Sequence, residues 1–219
     1  KDACRVRGWC ELAVDPQTLQ PLGDPQRAMA YFEKCSPGDT DAIMAKSKYH
    51  QLVGGQRGTP RALDHLNEAI AKDGSFFPAL LEKAKVMISL GEWSQALDAA
   101  HRVLSLNDDN MGALKIVCLE MATNQADPHG LAEQLQQLLR SMSKNEPVNA
   151  KLFHRTAQLF SRFAGRDAEV LQVTQQMAKK ALAVDPNDGA AVTELADQML
   201  MLGKYKDASD HYGRACQID

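Results

Sequence analysis

The sequence predicts an all-α solenoid of about six helix pairs, and three observations carry that prediction. Compact residues recur at a near-constant spacing along the 219-residue chain. Ala28, Ala62, Ala96, Leu135, Thr174 and Ala208 form one series, at intervals of 34, 34, 39, 39 and 34 residues. A second series, Gly8, Ser47, Ala84, Cys118, Ala157 and Ala196, places one member before each member of the first. Steps of four and seven residues from the first series land again on apolar or compact side chains: Phe32 and Cys35, Leu66 and Ala69, Ala100 and Val103, Leu139 and Met142, Ala178 and Ala181, Tyr212 and Ala215. Those steps follow one face of an α-helix. Finally, turn-forming text separates the periodic segments, and almost no β-type alternation interrupts them.

Each unit then reads as two antiparallel helices, the first carrying one small-residue contact and the second the other. Small side chains let neighbouring helices approach, and larger ones fill the space between them. The units are predicted at about 1–39, 40–76, 77–110, 111–149, 150–188 and 189–219, as one array. Gly91 and Gly203 follow first-helix segments, where a left-handed C-terminal residue suits Gly. Trp93 and Tyr205 come two residues later and are expected to seal the junction inside each pair. Second helices end at SPG (36–38), KDG (72–74), NDDN (107–110), NEP (145–147) and DPND (185–188). Pro147 and Pro186 suit the start of the following connection. Longer connections are expected at 14–25, 54–60 and 124–130, whereas 167–184 reads as an extended second helix.

Composition excludes several function classes. Net charge is −3, which implies no nucleic-acid surface. No apolar run of membrane-spanning length occurs, so no direct membrane insertion is expected. Cys4, Cys10, Cys35, Cys118 and Cys216 form no C-x-x-C pair and read as buried reduced thiols, with no cysteine zinc site. His50, His65, His101, His129, His154 and His211 are scattered, with no H-E-x-x-H. GGQRG (54–58) lacks the Lys-Ser/Thr of a phosphate loop. Asp108 and Asp109 sit at a helix junction and are read as complementing the next helix N-terminus. No catalytic residue, cofactor site or metal site is predicted, and the chain is read as non-enzymatic.

A 34-residue helix pair with Gly, an aromatic, Ala, a further aromatic or small residue, Ala and a late Pro is the tetratricopeptide pattern. Units of this kind stack into a right-handed superhelix. The segments GWCEL (8–12), FPALLEKAKVMISLGEW (77–93), NAKLFHRTAQLFSRFAGR (149–166) and ALAVDPNDGAAVTELADQMLMLGKYKDA (181–208) further resemble the tetratricopeptide repeat protein 21 family. FSRFAGR is the most telling, because the generic repeat does not require it. The resemblance implies a segment of a longer array, within a large subunit of the intraflagellar transport A complex. It implies a scaffold located in the cytoplasm and in the cilium or flagellum, including its base, that supports retrograde transport and ciliary entry of membrane proteins. The partners implied are other subunits of that complex, propeller and helical-repeat proteins, with ciliary cargo or adaptor proteins beyond them.

The first helix of each pair is expected to line the concave side. Its solvent face is read as Arg5, Trp9, Lys48, Lys85, Lys115, Leu119, Lys151, His154, Arg162 and Asp197. Most of these charges are basic, so the face is expected to favour an acidic partner segment. The alternative reading is a generic tetratricopeptide adaptor or co-chaperone that binds peptide tails. Such arrays resemble one another in placing Asn four residues after Lys. Here Lys48 and Lys115 are followed by Leu52 and Leu119.

Overall fold

Asp and Asn in the turn text act as helix N-caps. Side chains of Asp24, Asp39, Asn110, Asp127, Asn149, Asp167 and Asp188 accept backbone N–H bonds two or three residues on, at about 3 Å. The junction before 111, where Asp108 and Asp109 are read as complementing the helix N-terminus, is capped by Asn110. Asp109 instead takes Lys144 as its partner, and its carbonyl accepts from Ser141 at 2.5 Å.

The computed structural model describes residues 2–15, 20, 22–124, 127–165 and 167–218. Residues 16–19 and 21 of the connection at 14–25, residues 125–126 of the connection at 124–130, and Arg166 of the segment 149–166 lie outside the described residues. Among the described residues the elements are α1 (Asp2–Glu11), α2 (Pro25–Phe32), α3 (Thr40–Lys72), α4 (Phe77–Ser89), α5 (Trp93–Leu106), α6 (Met111–Asn124), α7 (Pro128–Asn145), α8 (Ala150–Ala164), α9 (Ala168–Val184), α10 (Gly189–Met201) and α11 (Tyr205–Ile218). No β-strand occurs among them.

The connection expected at 54–60 is a single-residue break. Helix α3 runs through it except at Gly55, where φ is 49° and ψ is −132°. That conformation favours Gly, and it folds α3 into two arms. A continuous helix would hold His50 and His65 about 22 Å apart. Here their rings stack, 5.3 Å between centroids and 10° between planes. Pro60 lies in the second arm, five residues after Gly55. The arms of α3 therefore make the second helix pair, and the others are α1/α2, α4/α5, α6/α7, α8/α9 and α10/α11.

Two compact units are described in turn, 1–106 and 107–219. In the first unit α1 packs on α2, α2 on α3, α3 on α4 and α4 on α5. One cluster joins Leu12, Ala28, Phe32, Cys35, Ala42 and Ala45, and the Trp9 ring meets Phe32 edge-on at 6.1 Å. Phe32 also lies where a side chain at Gly8 would stand, 2.4 Å from a Cβ built there. A second cluster joins Ile43, Leu66, Ala69, Ala79 and Val86. In the second unit α6/α7, α8/α9 and α10/α11 pair, with α8 against α6 and α10, and α9 against α7 and α10. Phe153, Phe160, Leu135, Leu171, Met177 and Leu195 fill its interior.

Both small-residue series are buried throughout. Their four- and seven-step partners are buried too, apart from half-buried Tyr212. Thr174, a polar member, donates to Gln198 Oε1 at 3.2 Å. Gln198 donates to Glu194 Oε1 at 2.7 Å, and Ser161 donates to the same oxygen at 2.5 Å. Gly91 and Gly203 take φ of 80° and 72°. After each, a backbone N–H reaches back five residues, Glu92 to Met87 and Lys204 to Met199, which closes the helix end.

Two expectations need correcting. Tyr205 is 72% exposed, so its ring does not seal its junction, whereas Trp93 is half-buried. Each is the first residue of its helix, at the tip of the pair, one turn short of the Ala96 or Ala208 contact. The cysteines are not uniformly buried either. Cys35 and Cys118 are, and burial pushes the Cys118 thiol up to about 12. Cys4 is half-buried, while Cys10 and Cys216 are exposed on the solvent sides of α1 and α11.

Leu at Ala96 or Ala208 is expected to overpack the contact and cost about 1–3 kcal/mol, read from urea unfolding. Trp93→Ala should cost clearly less than the about 3–5 kcal/mol of a fully buried ring. Burial, then the charges of His65 and Arg61, hold the His50 imidazole below its ordinary value. The unfolded chain therefore binds that proton more readily. The contribution is complete above the ordinary value of 6.5 and is lost as pH falls through the folded value. Acidification should lower amide protection across 40–72, corrected for intrinsic exchange, less in His50→Gln than in the parent.

Candidate interaction site

The first helices of the first unit expose three parallel rows. A helix repeats its face every three to four residues, so α1 presents Arg5 and Trp9, α3 presents Met44 and Lys48, and α4 presents Pro78, Leu81, Glu82 and Lys85. Between the rows lies an open cleft of about 360 Å³, lined by all of these except Arg5. The structure thus gathers Trp9, Lys48 and Lys85 on one surface. Trp9 is fixed there, because its indole Nε1 donates to Asp41 at 3.2 Å while its ring packs on Phe32.

The cations of this face are engaged with carboxylates, Arg5 and Lys48 across to the neighbouring helix and Lys85 within α4. Arg5 meets Asp39 and Asp41 at 3.3 Å and Asp2 at 3.4 Å. Asp39 above all raises the guanidinium further above its ordinary value, with Asp41 and Asp2 adding to it against burial. Lys48 reaches Glu82 Oε1 at 2.9 Å, and Lys85 reaches Oε2 at 3.2 Å. Burial alone would raise the Glu82 carboxyl, yet the two ammonium groups outweigh it and hold it below the usual carboxylate range.

The second unit carries the remaining predicted residues. Lys115 and Leu119 on α6 are half-buried, and Lys151 on α8 is exposed. His154 Nδ1 stands 3.5 Å from Asp188, and Arg162 stands 3.9 Å from Asp197. Asp197 also accepts from the Tyr212 hydroxyl at 2.6 Å, which pushes that phenol up to about 12, with burial adding to the shift.

Sequence reasoning counted the cations of this face and missed their partners. A signal existed. Arg5 and Asp39, Lys48 and Glu82, and His154 and Asp188 are each 34 residues apart, one repeat. The apolar lining, Met44, Pro78 and Leu81, was also missed, although each shares a helical face with a predicted residue. Among the described residues no cluster of three His, Cys, Asp or Glu could hold a metal, and no helix is long and apolar enough to cross a membrane.

Comparison with known proteins agrees with this architecture. BtubC from P. vanneervenii superposes with a TM-score of 0.63 at 13% identity, covering 89% of this chain and 87% of that one. YrrB, a TPR protein with an unusual peptide-binding site, gives 0.55 at 15% identity, over 90% of this chain and 92% of that one. These likenesses establish the helical-repeat fold. Human tetratricopeptide repeat protein 21B is 30% identical over 196 residues, which is 89% of this chain and 15% of that protein. Human tetratricopeptide repeat protein 21A is 25% identical over 230 residues, 100% of this chain and 17% of that protein. The chain thus spans about a sixth of the length of these relatives. Residues 1–97 match the N-terminal ARM repeat of tetratricopeptide repeat protein 21, and residues 133–219 match its second ARM domain. With both family models matched in order over most of its length, the chain belongs to the tetratricopeptide repeat protein 21 family.

Proposed function

We propose that this chain forms part of a non-enzymatic subunit of the intraflagellar transport A complex, supporting retrograde ciliary transport and ciliary entry of membrane proteins. The coarser statement, a helical-repeat scaffold for protein interaction, follows from family and fold. The observation that carries the finer reading is the family match, two consecutive models and a human relative 30% identical over 89% of the chain. On this reading the chain works in the cytoplasm and in the cilium, including its base. Its partners are the propeller and helical-repeat subunits of the complex, with cargo or adaptor proteins beyond them. The surface chemistry supports binding over catalysis, since Arg5 and Lys48 are set in ion pairs between helices.

The adaptor alternative has weaker support. Lys48 is already bound to Glu82, and Leu52 stands where a tail-binding array of that kind carries Asn.

Residue-resolved crosslinking of the intact ciliary complex tests the proposal. Crosslinks from exposed lysines such as Lys85, Lys151 and Lys179 to propeller or helical-repeat subunits are expected. A complex that assembles and moves without this segment, with no such crosslinks, would overturn it.

A further inference from the structure

We propose that the cleft between α1, the first arm of α3 and α4 docks an extended protein segment that carries a carboxylate two residues from a large apolar side chain. The proposal rests on the reading of the chain as an interaction scaffold and adds the chemistry of what this surface takes.

Charge comes first. Lys48 and Lys85 share the single carboxylate of Glu82. Glu82 is 14% exposed, whereas the lysine side chains are 40% and 66% exposed. The cluster carries one uncompensated positive charge, and its open side is the positive one. Each ammonium has three donors, so both can accept a further carboxylate without giving up Glu82. Beyond Trp9 the balance reverses, because Arg5 faces Asp2, Asp39 and Asp41. An acidic residue is therefore favoured at the Lys48–Lys85 end and opposed at the other, which fixes the direction in which a segment lies.

Shape supplies the second half. One turn before the lysines, the lining is apolar, with Met44 and Leu81 beside Pro78 and the Trp9 ring. Trp9 is held rigid by Asp41 and Phe32, so it presents a preformed face at little entropic cost. Met44 is the adaptable member, able to reshape around the incoming group. Met44 to Lys48 and Leu81 to Lys85 are each four residues, about 6 Å along a helix axis. Two residues of extended chain span about 6.6 Å and place both side chains on the same side. An apolar side chain seated on Trp9, Met44 and Leu81 thus delivers a carboxylate to the two ammonium groups.

The test is selection of a displayed library of random octapeptides on the full chain. Recovered sequences should be enriched in Asp or Glu two positions from Leu, Met, Phe or Trp. Replacing that acid by its amide in a recovered peptide should weaken binding about tenfold, the worth of one hydrogen-bonded charge. The Lys48→Gln/Lys85→Gln variant, with its helix content checked, should lose the enrichment, and Lys179→Gln on α9 should keep it. Recovery of basic or unpatterned peptides, or amide replacements that bind as well as the acids, would overturn the proposal. Those outcomes leave untouched the crosslinks expected within the ciliary complex, so the two readings fail separately.

Discussion

Close approach of helices at Ala and Gly is the constraint on which the remaining structure depends. Where a contact residue has no side chain beyond Cβ, two helix axes can come within about 8 Å. The burial of Ala84, Ala96, Ala157, Ala196 and Ala208 marks those contacts, and Phe32 lying on Gly8 shows how little room is left. Once the axes are set, larger residues fill the layer between pairs. Phe153, Phe160, Leu135 and Met177 do so in the second unit. Individual repeats could not bury such residues alone, so stability is shared between neighbours.

The same spacing organises the surface. When pairs stack at a fixed period, residues one repeat apart become lateral neighbours on adjoining helices. Arg5 finds Asp39, Lys48 finds Glu82 and His154 finds Asp188. These pairs are partly buried at the junctions between helices. Their effect is to order long side chains and to set the local charge pattern. On α1, α3 and α4 that pattern is uneven, negative around Arg5 and positive around Glu82, and the apolar cleft lies between the two ends.

The contact register was legible in the sequence because residue size is a local property that recurs with the repeat. Gly91 and Gly203 were legible for a similar reason, as each ends a periodic segment and adopts positive φ. The connection expected at 54–60 was misread, since nothing in QRGTP forbids helix once Gly55 has turned the chain. The His50–His65 stack depends on that turn and could not be read before it. Tyr205 was misplaced because an aromatic residue at a helix start resembles a core residue in sequence, while its exposure depends on where the hairpin tip falls. The face of basic residues was assigned to the first helices, but its charge was taken one helix at a time. Pairing across helices is a property of the stack.

The polar set inside the second unit has a further consequence. Apolar rods can slide along one another at small cost, since one methyl contact replaces another. Ser161, Glu194, Gln198 and Thr174 link α8, α9 and α10 through bonds that close in only one axial position. A slip of one turn would break the bonds of Ser161 to Glu194 and of Thr174 to Gln198 and leave further buried polar atoms without partners, at a cost of about 1–3 kcal/mol each. These four residues therefore act as a detent, holding otherwise greasy helices to a single notch.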